Sequence, residues 1–168
     1  MKSLIKTLLR ENLYESIELI NVGDNRVKLL CKNEQGQAVG YAIIDLEIDV
    51  ENYLSNSYDD PDVDYIDPDL GRHFPHGKAA KLKHLEVFHG FRKDKVNKFG
   101  AQLMNAVLKY CKENDIKTIL LSATPIGPEP RISIDDLKRF YSQFGFDVIK
   151  IDSAHDMVRQ VSEIKKEI

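Results

Sequence analysis

Hydrophobic periodicity is clearest between residues 82 and 123. It predicts a strand at Leu82–Phe88, a helix that begins at Gly100 and a second strand at Ile116–Ser122. The helix has one apolar face of residues at helical spacing, namely Leu103, Met104, Val107, Leu108 and Cys111. Strand, helix and strand in this order are typical of a parallel β-α-β unit, which is normally right-handed.

Shorter patterns on either side of this unit predict further elements. An amphipathic helix is expected at residues 1–13, and the predicted strands are 16–21, 26–32, 38–48, 146–151 and 157–161. Turn-forming residues separate the first strands, which favours antiparallel hairpins. The strand at 38–48 is apolar on both faces, so we expect it inside the sheet. Ser133 is a predicted cap for a helix that ends at Gly145.

The segment from about 49 to 80 lacks this periodicity and is rich in aspartate, proline and glycine. We interpret it as a long acidic loop, either simply solvated or placed to favour a cationic substrate. The aspartates at 60, 62 and 64 have the spacing of a calcium loop, but Tyr65 stands where that loop needs glycine. His73 and His76 lack further ligands, so no metal site is predicted.

Length, charge and composition limit the number of domains and the kinds of partner to be expected. The chain of 168 residues is the size of a single domain over 1–168, and its net charge of −3 gives no reason to expect nucleic acid as a partner. An apolar run of membrane-spanning length and a signal-peptide pattern are both missing from the sequence. Cys31 and Cys111 are interpreted as buried, reduced thiols. These features predict a cytoplasmic protein without a membrane partner.

The turn between the first strand and the helix of the β-α-β unit is basic. Arg92, Lys93, Lys95 and Lys98 stand against a single Asp94 just before the helix begins. A helix N-terminus exposes backbone N–H groups and carries about half a positive charge, so it attracts anions. The turn therefore predicts a site for a phosphorylated ligand, although a merely solvated basic turn is the alternative.

The order of elements over about residues 15 to 161 resembles the GNAT N-acetyltransferases. Leu82, Leu85 and Val87 lie as in the splayed fourth strand of that family, and Gly100–Met104 is similar to the second half of its pyrophosphate motif. The run from Phe140 to Phe146 resembles the helix end that carries the family's tyrosine. The resemblance implies an α/β fold with a mixed, mostly antiparallel central sheet, a β-α-β cofactor unit and flanking helices. In the family pattern Arg/Gln-x-x-Gly-x-Gly/Ala, Lys98 replaces the first glycine.

By this resemblance the acetyl donor is acetyl-coenzyme A. Its pantetheine arm would run along the strand that ends in Val87 and Phe88, and its pyrophosphate would take N–H groups from Asn97 to Gly100, helped by Arg92, Lys93 and Lys95. The cofactor-binding residues so implied are Val87, Phe88, Arg92, Lys93, Lys95, Asn97, Lys98, Phe99, Gly100 and Ala101.

The resemblance also implies catalytic roles. Tyr141 matches the tyrosine that protonates the leaving thiolate, although a core aromatic is the other interpretation. Glu86 is the candidate base, with a solvent-facing carboxylate as its alternative, and His84 or His89 could replace it. The N–H of Val87 or Phe88 would stabilise the oxyanion. Ser122 and Thr124 are lesser candidates for lining the acyl site.

The implied activity is transfer of an acetyl group from acetyl-coenzyme A to a primary amine by direct attack. The amine is either a small cationic compound or a lysine or N-terminal amine of a protein. An inactive GNAT-like domain that binds coenzyme A as a sensor or interaction module is the main alternative. A third hypothesis is a module that binds a partner through the acidic segment, and a homodimer is left open.

Overall fold

The computed structural model describes residues 16–75, 77–94, 98–124, 132–152 and 154–161. The helix predicted at 1–13 lies outside these residues, as do residues 125–131 and the C-terminal tail. Among the described residues, no helix has the length and apolar character needed to span a membrane.

The described part of the chain contains eight strands and three α-helices. In chain order these are β1 (Ile17–Asn21), β2 (Arg26–Lys32), β3 (Ala38–Asp45), α1 (Val50–Asp59), β4 (Tyr65–Ile66), β5 (Lys78–Val87), α2 (Phe99–Glu113), β6 (Ile116–Ala123), α3 (Ile134–Gln143), β7 (Asp147–Ile151) and β8 (His155–Gln160). Short 3-10 turns occur at Leu70–His73 and at His89–Phe91.

The strands form one mixed sheet in the order β1-β2-β3-β5-β6-β8-β7-β4. β5 pairs with β6 in parallel, whereas the pairs β1 with β2, β2 with β3, β6 with β8, β7 with β8 and β4 with β7 are antiparallel. Backbone bonds from Ile48 to Ala79 and from Phe88 to Val39 show that β3 and β5 are antiparallel too. The predicted mixed, mostly antiparallel sheet with its parallel β-α-β unit is confirmed.

The chain divides into two compact units, Met1–Asp45 with Lys83–Tyr110, and Leu46–Leu82 with Cys111–Ile168. In the first unit, alternate residues of β2 and β3 are buried. The side chain of Leu103 on α2 packs against β3 at Gly40. In the second unit, a core of Leu70, Leu120, Ile149 and Val158 lies against the apolar side chains of α1. The single domain expected for 1–168 stays a prediction.

The expected irregular loop at 49–80 is wrong in part, because α1 occupies Val50–Asp59. Its sequence is poor in strong helix formers, which hid it from the periodicity. Asp49 caps the helix by accepting the N–H of Asn52 at 3.0 Å, and Tyr53 and Leu54 pack on the core. Tertiary packing and a cap therefore outweigh local propensity here. β5 also begins four residues before the predicted strand, since the small residues Ala79 and Ala80 are buried in the sheet.

Both cysteines are buried, and burial raises the pKa of Cys31 to about 11 and that of Cys111 to about 12. Neither thiol is bonded to another cysteine among the described residues. Thiols with such raised pKa values stay protonated and unreactive at neutral pH, so both cysteines serve packing.

Candidate functional site

The carboxyl end of β5 presents one backbone edge away from β3. The N–H of Phe88 donates to the carbonyl of Val39 at 2.8 Å, which holds β5 to β3 at this point. Backbone groups of successive strand residues point to opposite edges, so the N–H of Val87 points away from β3. Of the two predicted oxyanion donors, Phe88 is therefore already engaged in the sheet, and Val87 alone is retained.

The turn after β5 folds a basic side chain back onto the strand end. The 3-10 turn His89–Phe91 reverses the chain, and Nε of Arg92 then donates to the carbonyl oxygen of Val87 at 2.9 Å. The ring of Phe91 meets that of Phe99 edge-on, with 6.1 Å between centroids, which ties the turn to the start of α2. The first predicted cation of the turn thus lies at the end of β5.

Lys98 has a backbone conformation that favours glycine. Its φ is +48°, its N–H donates to the carbonyl of Asp94 at 3.1 Å, and its carbonyl accepts from Gln102 at 3.1 Å. Glycine adopts this conformation at least cost, and glycine is the residue at this position in the GNAT pattern that the sequence resembles.

The backbone hydrogen bonds at the start of α2 show which N–H groups are already engaged and which could donate to an anion. The N–H of Lys98 donates to the carbonyl of Asp94, and its expected contact with a phosphate stays a prediction from the sequence. The N–H groups of Phe99, Gly100 and Ala101 open α2 and come before that of Gln102, which is the first N–H to donate within the helix, to the carbonyl of Lys98. These three N–H groups therefore remain as donors to an anion. Lys95 and Asn97 lie outside the described residues, and the side chains of Lys93 and Lys98 are exposed.

Glu86, the predicted base, lies one residue before Val87 on β5. It is half-buried, and its negative charge acts on Tyr41 of the neighbouring strand β3. Burial and the negative charge of Glu86 raise the pKa of Tyr41, so the phenol stays protonated. His84 and His89, the two predicted substitutes for this base, are both exposed.

Tyr141 lies near the end of α3 and is 7% exposed. Its ring contacts those of Phe140 and Phe146 at centroid distances of 5.2 and 6.0 Å, and its carbonyl accepts the N–H groups of Phe144 and Phe146 as the helix ends. Gly145 then turns the chain with φ +85°. Burial raises the pKa of Tyr141 to about 12. The aromatic motif thus has a structural use, and the phenol is a protonated donor at neutral pH.

Comparison with known proteins identifies the fold. No protein-family profile matches the sequence, and no curated protein matches it significantly. A Klebsiella pneumoniae protein provisionally described as an acyl-CoA N-acyltransferase is similar at a TM-score of 0.52, with 15% identity over 95% of this chain and 88% of its own. Ard1 from Thermoplasma volcanium gives 0.50, with 17% identity over 93% and 80%. A Desulfovibrio desulfuricans protein provisionally described as a GNAT acetyltransferase gives 0.50, with 13% identity over 82% and 70%.

The chain has the GNAT fold. This confirms the fold that the sequence resemblance implied. Identities of 13 to 17% carry the fold alone, so the roles of individual residues in this GNAT-fold chain have to be argued from its own geometry.

The second unit of this GNAT fold holds a polar cluster around a buried carboxylate, and of its members sequence reasoning had named only Ser122. Asp156, 7% exposed, accepts hydrogen bonds from the hydroxyls of Ser122 at 2.6 Å and Tyr53 at 2.9 Å. The ammonium of Lys150 lies 3.7 Å from the same carboxylate. Ser122 lies 34 positions and Tyr53 lies 103 positions before Asp156 in the sequence, so no local motif could have indicated these two contacts. Thr124, the other predicted acyl-site residue, is exposed.

One aspartate of the acidic segment is buried in a small network of its own. Asp67 accepts from Nε2 of His73 at 2.8 Å, from the N–H of Asp69 at 2.9 Å and from Arg72 at 3.4 Å. Neighbouring aspartates such as Asp62 are exposed. Within the described ranges, no three histidine, cysteine or acidic side chains are grouped as metal ligands.

Proposed function

We propose that this GNAT-fold chain transfers an acetyl group from acetyl-coenzyme A to a primary amine. The observation that carries the proposal is the start of α2, where Lys98 takes a glycine-like backbone conformation and the N–H groups of Phe99 to Ala101 remain for an anion. A pyrophosphate is the anion expected at such a helix start. The acceptor is a small cationic amine, or a lysine or N-terminal amine of a protein.

Cationic side chains reinforce this end of the helix. Arg92 is held at the end of β5 by its bond to Val87, and Lys93 follows it as an exposed cation. Lys95 and Asn97 keep their proposed contacts from the sequence. Exposed cations add electrostatic attraction that weakens with salt, whereas oriented backbone N–H groups add geometric selection for phosphate oxygens.

The edge of β5 suits an extended chain of amides. Val87 has its N–H directed away from β3, and an amide-bearing pantetheine arm would pair with that edge as an added strand. The carbonyl of Val87 already accepts from Arg92 at 2.9 Å. The backbone group of Val87 that remains for acetyl-coenzyme A is therefore its N–H.

Acetyl-coenzyme A supplies an activated thioester carbonyl when bound. The residues of the chain then accept a proton, stabilise the developing oxyanion and donate a proton. Glu86 accepts the proton that the amine must lose to become nucleophilic, and the N–H of Val87 donates to the carbonyl oxygen as negative charge develops there. Tyr141, protonated at neutral pH because its pKa is raised to about 12, is the proposed proton donor to the leaving thiolate.

The inactive coenzyme A sensor is the less favoured reading. It rested on the replacement of the pattern glycine by Lys98, yet that lysine has φ +48°, a backbone conformation that favours glycine. Cytoplasmic location and a homodimer stay predictions from the sequence.

The first experiment is a thermal-shift titration of the full chain with acetyl-coenzyme A, followed by a panel of amines with detection of the released thiol. At a hundred times its dissociation constant, a ligand stabilises the folded state by about 2.7 kcal/mol. Stabilisation together with amine-dependent thiol release supports the enzyme. Stabilisation without release by any amine favours the sensor, and no shift at millimolar donor contradicts both.

A further inference from the structure

The sheet of the first unit has one packed face and one half-exposed face. Leu29 and Ala42 are opposite each other on the packed face and are fully buried, and Leu103 of α2 packs against that face at Gly40. Successive strand residues point to opposite faces, so the residues between them lie on the second face. The half-buried apolar residues of this second face are Ile20, Leu30, Tyr41 and Ile43. Apolar side chains that stay partly open together mark a candidate binding surface.

The register of β3 with β5 brings Glu86 to the same half-exposed face. The backbone bond from Phe88 to Val39 at 2.8 Å pairs these two residues in an antiparallel ladder, so Tyr41 lies opposite Glu86. Tyr41, Glu86 and Phe88 therefore share one face. The rings of Tyr41 and Phe88 lie together there, with 6.1 Å between centroids and an interplanar angle of 55°. The candidate base is thus bordered by an aromatic surface.

A primary ammonium from the chain itself already rests on this aromatic surface. Nζ of Lys28 on β2 lies 4.8 Å from the ring centroid of Tyr41, which is within the range of a cation–π contact. A lysine side chain is a primary amine on an alkyl arm, which is the chemistry of an acceptor for acetyl transfer. The contact shows that the ring of Tyr41 is open to a group of this kind.

The charges around Glu86 suit a ligand with a single positive charge. Two more carboxylates on these strands are engaged by ion pairs within the chain, Glu18 with Lys32 at 2.7 Å and Asp45 with Arg26 at 2.6 Å. A ligand with one ammonium can place it at Glu86. A second ammonium would meet the cation of Lys28 instead of another carboxylate, and this repulsion disfavours a polyamine.

We propose that the half-exposed face around Glu86 binds the acceptor, and that the acceptor is a small monoamine with an apolar arm. Its ammonium lies at Glu86, to which it later gives its proton, and its arm packs on the rings of Tyr41 and Phe88. The inference rests on the proposed acetyl transfer and narrows the acceptor to one class of amine. An apolar surface beside the carboxylate favours an apolar arm, because a polar arm would lose water there without gaining partners.

The first test compares acceptors for the full wild-type chain at saturating acetyl-coenzyme A, with detection of the released thiol. Phenethylamine supplies an aromatic arm, ethanolamine a polar arm and spermidine several ammonium groups. We expect kcat/KM for phenethylamine to exceed that for each of the other two by about 10-fold or more. An equal or higher kcat/KM for ethanolamine, spermidine or a lysine-containing peptide overturns this inference, while acetyl transfer stands.

The second test removes the aromatic surface. Tyr41→Ser should raise the KM for phenethylamine by about 10-fold and leave the KM for ethanolamine unchanged, because only the apolar arm loses its contact. Tyr58→Ser is the matched control, since Tyr58 is 53% exposed and lies on α1, and it should leave both KM values as in the wild type. Equal changes in the two KM values of Tyr41→Ser contradict the proposed contact with the arm.

The third test removes the cation of the face and does not depend on the folding of Tyr41→Ser. Lys28→Gln should raise kcat/KM for spermidine by about fivefold and change that for phenethylamine much less. Lys138→Gln, an exposed lysine of α3, is the control and should leave both values unchanged. An unchanged value for spermidine in Lys28→Gln overturns the inference. Absence of turnover of every amine by the wild-type protein overturns the proposed function and this inference with it.

Discussion

Gly40 of β3 faces the backbone of Glu86 on β5 with no room for a side chain between them. A β-carbon at Gly40 would collide with the carbonyl oxygen of Glu86 and would also lie 3.2 Å from the side chain of Leu103 on α2. The candidate base is thus carried on a strand whose distance from β3 is set by a glycine. This contact joins the packing of the first unit to the position of its functional groups.

Gly40→Ala should therefore lower both stability and activity. The added methyl group meets backbone atoms that cannot swing away, so we expect a loss of about 1–3 kcal/mol in the free energy of unfolding. For a chain of this length this corresponds to a fall of about 5 °C in melting temperature. Urea denaturation and calorimetry measure the loss.

Gly71→Ala is the control for this substitution. A β-carbon at Gly71 would have no atom within 4 Å, and its φ is not in the left-handed region. This variant should unfold within about 1 °C of the wild type. An equally small change in Gly40→Ala would contradict the close contact between β3 and β5.

Lys98→Gly is expected to stabilise the protein. A side chain at φ +48° costs about 1–2 kcal/mol relative to the right-handed region, and glycine escapes this cost. Lys98→Ala removes the same charge but keeps the β-carbon, so it is the matched comparison. We expect the glycine variant to exceed the alanine variant by about 1 kcal/mol in urea denaturation. Equal stability of the two would show that the backbone relaxes at this position.

How far the sequence predicted this fold depends on how local each signal was. The helix α2 was predictable because its apolar face repeats within fifteen residues, and the cap of α3 because Ser133 accepts the N–H of Asp136 only three positions away, at 3.1 Å. The helix α1 was not, since its stability comes from packing of Tyr53 and Leu54 on a core that the periodicity of α1 does not record.

The candidate site divides in the same way. The basic turn and the start of α2 follow from adjacent residues, whereas no sequence pattern shows that Lys98, in the glycine position, has φ +48°. Asp156 of β8 lies 103 positions after Tyr53 of α1, whose hydroxyl donates to it. This contact arises only when the helix packs on the sheet, so only the structure could reveal it.

Charge removal in the basic turn should weaken binding of acetyl-coenzyme A. Lys93→Gln deletes an exposed cation next to the proposed pyrophosphate site, and we expect the dissociation constant to rise about five- to tenfold at low salt, or ~1 kcal/mol. The difference should shrink at 0.5 M salt because exposed charges are screened. Calorimetric titration at two salt concentrations measures both effects.

Lys138→Gln provides the matched control for that experiment. Lys138 is an exposed lysine of α3, so its removal changes the net charge equally without touching the basic turn. Its dissociation constant should stay within twofold of the wild type. A loss of affinity as large as that of Lys93→Gln would mean that only the total charge of the protein matters.

Asp67 should contribute stability that disappears in acid. The hydrogen bond from the His73 ring is the largest cause that lowers the pKa of Asp67 below the ordinary 3.8. The hydrogen bond from the backbone N–H of Asp69 is the next largest. A lowered folded-state pKa means that the contribution is complete above pH 3.8 and is lost as pH falls through the lower value. The destabilisation caused by Asp67→Asn should hence be constant from about pH 5 to 7 and shrink below about pH 4.

Urea midpoints measured between pH 2.5 and 7 test this pH dependence. Asp62→Asn removes an exposed carboxylate from the same segment and serves as the control, with a much smaller effect at neutral pH. A destabilisation by Asp67→Asn that did not diminish in acid would show that its hydrogen bonds do not depend on the ionised carboxylate.

The buried carboxylate of Asp156 should make its two hydroxyl donors interdependent. Tyr53→Phe and Ser122→Ala each remove one donor from an acceptor that water cannot easily reach, so each should cost about 1–3 kcal/mol. The double variant should cost more than the sum, because the last strong donor is then lost and Lys150 lies 3.7 Å away, beyond hydrogen-bond distance. Urea denaturation of all four proteins gives the coupling free energy, with the exposed Tyr58→Phe as control. Strict additivity would mean that the loss of either donor admits water to Asp156, which would make this cluster an accessible pocket rather than part of the core.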